Sequence, residues 1–237
     1  MDLAIALIAA IVTYLIGSFS FARLIGQLVA PKVDVSHTEL PVPGTNESIS
    51  MRSVSGTSVS IHLGPKWGVL TSLFDMLKVA LPTLAFRLLY PGTHYFLISA
   101  VAGVIGHNWP LYYRFKGGSG LSAIYGSMFV IDWIGVLVTA FGGMILGMVV
   151  IRDVVVSYLA GLWLMIPWLW FRTYDVWYLA YGVAVNVLFV LALLPEIRKV
   201  MEYRRRGLGG TAAEMDVTPM GRMMTKMMNR LGLTKKA

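Results

Sequence analysis

The chain has 237 residues, 57% of them hydrophobic and 14% charged, with a formal net charge of +8 and a mean hydropathy of +0.69. A soluble globule of this size needs far more charge to cover its surface, so the composition describes an integral membrane protein. The sequence contains no cysteine, which excludes a disulfide framework, a thiol nucleophile and cysteine-ligated zinc.

At ~20 residues per span there is room for about seven transmembrane helices joined by short loops, without a separate soluble domain. The expected fold is therefore all-α and polytopic, with residues 1–195 in the membrane and 196–237 forming a basic, amphipathic cytoplasmic tail. The first helix starts directly after Met1-Asp2. It lacks the basic region and small-residue cleavage site of a signal peptide, so it reads as a retained span.

Leu3 to Ala22 is the first span, apolar until Gly17-Ser18-Phe19-Ser20. Small residues at a span's end serve either helix packing or a site. From Ala30 to Lys66 the composition turns polar, rich in Ser, Thr, Gly and Pro, and predicts a long loop of the kind that is usually functional or disordered. Trp67 to Leu89 is the second span and carries Asp75 and Lys78. Three residues apart, these share one helix face, and the cost of charge in lipid demands that they pair, face the bundle interior or sit near a wet end.

Tyr95 to Tyr113 is the third span, and it leads into Gly106-His107-Asn108-Trp109-Pro110-Leu111-Tyr112-Tyr113-Arg114-Phe115-Lys116-Gly117-Gly118-Ser119-Gly120. Pro110 lacks the N–H a helix needs, which puts the helix end near Trp109. The rings of Trp109, Tyr112 and Tyr113 belong at the headgroup level. Lys116 to Gly120 then offer a cation, a hydroxyl and side-chain-free amides just before a helix expected to open at Leu121, an arrangement suited to cradling phosphate. The same glycine run also suits a flexible turn.

Leu121 to Ile151 is apolar except for Asp132. As one helix it would be ~46 Å long, against a ~30 Å hydrocarbon core, so two short spans turning at Asp132 fit better. That division also places Lys32, Arg52, Lys66, Arg114, Lys116, Arg152 and the basic tail on one side, with Arg87 and Arg172 near the other. Lys and Arg concentrate in cytoplasmic loops, so the N-terminus is expected outside and the C-terminus inside. Val154 to Phe171 and Trp177 to Leu194 complete seven spans. In the tail, Met220, Met223, Met224, Met227, Met228 and Leu231 share a helical face, with Arg222, Lys226 and Arg230 on another. Such a helix would lie on the inner leaflet against anionic lipid. Topology and tail account for the net charge without nucleic acid.

Three polar clusters fall on the expected cytoplasmic side: Gly17 to Ser20, the loop from Arg52 to His62, and Gly106 to Gly120. Together they suit a phosphorylated, water-soluble substrate meeting a lipid. No Gly-x-Ser-x-Gly elbow surrounds a serine. The four histidines, His37, His62, His94 and His107, have no recognisable metal spacing. His107 is open to two readings: a helix-end histidine bonded to a neighbouring carbonyl, or a base or orienting group for a hydroxyl nucleophile.

Gly106-His107-x-x-Pro110 followed by Phe115-Lys116-Gly117-Gly118-x-Gly120 resembles the third signature of the bacterial membrane glycerol-3-phosphate acyltransferases that use acyl phosphate, the PlsY family, which reads G-H-x-x-P-x-x-x-x-F-K-G-G-K-G. Gly17-Ser18 is similar to the family's first motif, and Phe74-Asp75-x-x-Lys78 to its F-D-x-x-K. The resemblance covers roughly the first two thirds of the chain. Ser119 stands where the pattern has its second lysine. The second motif, G-S-G-N-x-G-A-T-N-x-x-R, aligns either with Ser55-Gly56-Thr57-Ser58, leaving Ile61 at the arginine position, or with Gly44-Thr45-Asn46 and Arg52. The family's histidine and asparagine after the last span have no clear counterparts.

What the resemblance implies is a multi-pass enzyme of a prokaryotic plasma membrane that moves an acyl group from acyl phosphate to glycerol 3-phosphate, giving lysophosphatidate for phospholipid synthesis. It implies no cofactor and no metal. Lys116, Gly117, Gly118, Ser119 and Gly120 would bind acyl phosphate; Ser18, Gly56, Thr57 and Ser58 would bind glycerol phosphate; and His107 would be catalytic. The departures favour a relative that binds a lipid phosphate without transferring acyl groups, or that acylates another acceptor. The charges within the second span admit a small transporter, although no internal repeat or pair of broken helices accompanies them.

Overall fold

A computed structural model describes residues 1–41, 48–51, 53–151, 154–206 and 230. Asp2 starts α1 (Leu3–Gly17) by accepting the Ala4 N–H at 2.8 Å. The chain then breaks, and Ser20 caps a second, amphipathic helix, α2 (Phe21–Val29). The expected span from Leu3 to Ala22 is thus interrupted after Gly17, because Ser20 serves as a helix cap and the Phe19 carbonyl accepts from the Lys78 side chain.

Among the described residues, the region expected as a long loop contains turns, two strands and a helix. Asp34 turns the chain after α2, accepting from the Ser36 hydroxyl and N–H and from the His37 ring. These bonds hold its pKa down to about 2. The brace is complete above the ordinary carboxylate range and is lost only as pH falls through that value. β1 (Thr38–Pro41) pairs antiparallel with β2 (Ser48–Met51), Thr38 opposite Met51 and Leu40 opposite Ile49. The fold is therefore mostly helical, with one small hairpin that an all-α reading did not contain. Of the two alignments of the second motif, Gly44-Thr45-Asn46 and Arg52 lie outside the described residues. The other alignment lies on α3 (Gly56–Leu63), where Ser55 and Ser58 form a reciprocal capping box.

α4 (Pro65–Leu89) opens with Pro65 in its first turn. Pro82 lies within it and has no N–H for the Lys78 carbonyl one turn earlier. α5 (Tyr95–Asn108) stops before Pro110, as the proline predicts, so it is shorter than the expected span to Tyr113; a 3₁₀ turn occupies Leu111–Tyr113. α6 (Leu121–Ile131) and α7 (Trp133–Ile145) meet at Asp132, which ends one helix and caps the next. A π-helical stretch (Leu146–Ile151), α8 (Val154–Thr173) and α9 (Val176–Arg205) complete the described chain. The Met-rich tail lies outside the described residues except Arg230.

Among the described residues, four segments are long and apolar enough to cross a membrane: Leu3–Val29, Pro65–Leu89, Trp133–Ile151 and Val176–Arg198. Leu121–Ile131 is a shorter apolar helix. Helix α1 packs on α5, α4 on α5 and α6, and α7 on α8. Small residues permit the close crossings: a β-carbon at Gly17 would stand 2.5 Å from the Gly103 carbonyl oxygen of α5. The larger core gathers Val79, Val104, Ile124, Met128, Leu162 and Tyr181 from α4 to α9. A smaller one, with Ala22, Ile25, Val54 and Val59, seats α2 and α3 on α4.

Candidate active site

The end of α1, the middle of α4 and the end of α5 converge on one cleft with about 170 Å³ of empty space, part of it open to solvent. Gly17 to Ser20 form one wall and Gly117–Gly118 another, with Lys78, His107, Val54 and Pro110 between them.

Lys78 and Asp75 sit one turn apart on the buried face of α4, their side chains 4% and 3% exposed. They form an ion pair at 2.8 Å, and Lys78 Nζ also donates to the Phe19 carbonyl at 2.7 Å. The second bond binds the α1–α2 break to α4. The pairing also accounts for the two charges that had suggested a transporter.

His107 is 5% exposed. Its Nδ1 lies 3.6 Å from Asp75 Oδ1, an electrostatic contact too long for a hydrogen bond. Its Nε2 faces the glycine wall, where a β-carbon at position 118 would collide with it. The ring thus has one nitrogen toward a carboxylate and the other toward the cleft, the polarity a general base requires. The helix-end reading, in which the His107 ring bonds a neighbouring carbonyl, is not what the structure shows: Nδ1 has no hydrogen-bond partner among the described residues, and it is the backbone carbonyl of His107 that accepts the Gly118 N–H at 3.1 Å.

That bond folds the glycine turn back onto α5. Gly117 is pressed against the His107 and Asn108 carbonyls with no room for a side chain, and its own carbonyl accepts the Val54 N–H at 2.9 Å. The turn is entered through Arg114 and Phe115, at φ of 52° and 60°. Each non-glycine residue there costs roughly 1–2 kcal/mol. Gly120, at φ 95°, leaves it against the Asn108 amide and opens α6. Ser18 is fully buried; its hydroxyl donates to the Tyr14 carbonyl at 2.8 Å and accepts the Leu111 N–H at 3.3 Å, linking α1 to the segment after α5.

Of the residues singled out in the sequence, Ser18, His107, Gly117 and Gly118 line the cleft. Ser119 and Gly120 follow on the same turn. Lys116 is exposed, and its carbonyl accepts from Arg23. Gly56, Thr57 and Ser58 follow Val54 at the start of α3 and do not line the cleft: Gly56 packs on Gly68 and Ser72 of α4, Thr57 is exposed, and Ser58 completes the capping box. Lys78, Ser20 and Val54 were not among the predicted site residues. Lys78 was recoverable from its F-D-x-x-K context, whereas nothing local marks Val54.

Residues 7–203 match the glycerol-3-phosphate acyltransferase family. The glycerol-3-phosphate acyltransferase of Pseudothermotoga lettingae is 30% identical over 121 residues, 51% of this chain and 54% of that protein. That of Aquifex aeolicus is 30% identical over 128 residues, 54% and 60% of the two chains. The chain thus spans about half the length of the curated relatives it matches. Its fold resembles the crystal structure of PlsY, an integral membrane glycerol 3-phosphate acyltransferase, in its glycerol 3-phosphate form. The TM-score is 0.68 and the identity 26%, covering 84% of this chain and 93% of that one. The lysophosphatidic acid form of the same enzyme matches with the same TM-score at 25% identity.

Proposed function

The chain belongs to the glycerol-3-phosphate acyltransferase family, and from that premise we propose that it transfers a fatty acyl group from acyl phosphate to glycerol 3-phosphate in a bacterial membrane. A hydroxyl oxygen of glycerol 3-phosphate attacks the acyl carbonyl carbon, the bond from that carbon to the phosphate oxygen breaks, and lysophosphatidate and inorganic phosphate leave. The acyl group arrives activated, so no acyl-enzyme is required and positioning supplies much of the rate.

The observation that carries this reading is His107, buried, with Nδ1 toward Asp75 and Nε2 against the Gly117–Gly118 wall. In this scheme His107 takes the hydroxyl proton. Lys116 and the amides of Gly117, Ser119 and Gly120 hold the acyl phosphate, while Gly118, its N–H bonded to the His107 carbonyl, leaves the side-chain-free space beside them. Ser18, its hydroxyl engaged by the Tyr14 carbonyl and the Leu111 N–H, shapes the acceptor wall, and Gly56, Thr57 and Ser58 support it from the start of α3. Seven spans, an outside N-terminus, a cytoplasmic cleft and a tail lying on anionic lipid complete the proposal.

A second reading, in which the site acylates another acceptor or only binds a lipid phosphate, is favoured by one observation. Among the described residues lining the cleft, Lys78 is the cation, and it is already paired with Asp75.

The test is acyl transfer by purified protein in lipid, offered acyl phosphate with glycerol 3-phosphate and, separately, with other polyol phosphates. Lysophosphatidate formation, reduced by about 10²–10⁴-fold in a folded His107→Ala variant, is expected. Transfer to another acceptor alone supports the second reading. Absence of transfer, with activity regained in Ser119→Lys, identifies a decayed phosphate site.

A further inference from the structure

The glycine wall of the cleft is the end of a strained turn, and its position depends on what holds that turn in place. The turn's own hydrogen bonds run back to Pro110 and Tyr113: Phe115 N–H to the Pro110 carbonyl at 3.0 Å, and Lys116 N–H to the Tyr113 carbonyl at 3.1 Å. These bonds close the loop, and the Gly118 N–H to the His107 carbonyl and the Val54 N–H to the Gly117 carbonyl seat its glycine end, but none of them reaches the Ser18–Ser20 wall across the cleft.

Arg23 spans that gap. From the first turn of α2, its Nη2 donates to the Lys116 carbonyl at 2.7 Å, across 93 residues of sequence. Its Nη1 donates to the hydroxyl of Ser20, on the cleft wall, at 3.3 Å. Its guanidinium lies 4.5 Å from the centre of the Tyr113 ring. One planar group therefore touches the residue before the Arg114–Phe115 kink, the residue after it and the facing wall. A lysine cannot reproduce this, since its ammonium is a point charge without a fork or a stacking face.

We propose that Arg23 is a positioning residue of this site, tying the strained turn to the Ser20 side of the cleft so that Gly117 and Gly118 stand at the right distance from Ser18. Arg23 reaches the reacting groups only through the turn. The proposal deepens the acyl-transfer reading and rests on it for its kinetic consequence. Its structural consequence, the hold on the turn, is independent of that reading.

Two measurements on the full chain in lipid test it. Hydrogen–deuterium exchange across 113–118 is expected to accelerate about tenfold or more in Arg23→Ala, the loss of one charge-assisted hydrogen bond. Exchange in α8 and α9, and the unfolding temperature, are expected to hold. In the transfer assay, KM for acyl phosphate rises by about the same factor while KM for glycerol 3-phosphate stays within about twofold, and Arg23→Lys recovers only part of the loss. Unchanged exchange at 113–118 overturns the proposal whatever the kinetics. A rise confined to the KM of glycerol 3-phosphate also overturns it, by making Arg23 an acceptor ligand. If the wild-type protein transfers no acyl group, the acyl-transfer reading fails and exchange alone decides the role of Arg23. If the alanine variant does not fold, the same measurements on Arg23→Lys decide it.

Discussion

Asp75 and Lys78 show how a charge pair is tolerated inside an apolar bundle. Each ion is buried, each has the other at 2.8 Å, and the ammonium has one further acceptor, the Phe19 carbonyl. Removing one partner leaves an uncompensated buried charge and costs about 3–5 kcal/mol, whereas replacing both with apolar groups of similar volume is often neutral or stabilising. Lys78→Met is therefore expected to lower the unfolding midpoint sharply, and Asp75→Leu with Lys78→Met to recover most of it. Acyl transfer is expected to stay low in the double variant, because Lys78 lines the cleft and Asp75 stands beside His107 Nδ1. Thermal unfolding and transfer, measured on the same preparations, separate the two roles. If activity returned together with stability, the pair would be structural only.

The helices owe their ends to single residues. Asp132 gives its N–H to the Met128 carbonyl at the end of α6. Its carboxylate accepts the Gly135 N–H of α7 at 3.1 Å and the Trp168 indole N–H of α8 at 2.9 Å. Three helices thus meet on one residue, two of them on its side chain, remote from the cleft. Asp132→Ala is expected to cost about 1–2 kcal/mol, the worth of a helix cap, while Asp132→Asn, which keeps an acceptor, costs less. Transfer by the folded fraction of either variant should match the parent. An alanine variant as stable as the parent would mean that Pro, Gly or lipid packing elsewhere sets the α6–α7 turn. At the other break, the α1–α2 junction depends on Ser20 and on Lys78 from a distant helix, so Leu3–Val29 remains one apolar segment by hydropathy and the break within it leaves no mark there.

At the scale of the molecule, the absence of cysteine makes orientation directly measurable, because single cysteines can be introduced without background. With seven spans and an outside N-terminus, Pro91→Cys, in the α4–α5 turn, is expected to react with an impermeant maleimide on intact cells. Lys66→Cys, at the start of α4, should react only after permeabilisation. The reverse pattern would invert the topology and place the cleft outside. Much of the helical fold was legible in the sequence, because it rests on local chemistry. Hydropathy declares the membrane, Pro110 ends α5, Asp132 divides α6 from α7, a separation of three puts Asp75 and Lys78 on one face, and Gly117-Gly118 announces a turn without side chains. The hairpin of β1 and β2 was not legible, since two four-residue strands in a polar segment leave too short a pattern to read. Nor were the contacts that make the cleft: Lys78 to Phe19, Val54 to Gly117, and Arg23 to Lys116. Composition and periodicity determined that this chain is a helical membrane protein carrying a glycine turn beside a histidine. Only the tertiary structure decided which distant groups hold that turn against that histidine, because backbone carbonyls accept from whatever donor the packing delivers and leave no mark in the sequence.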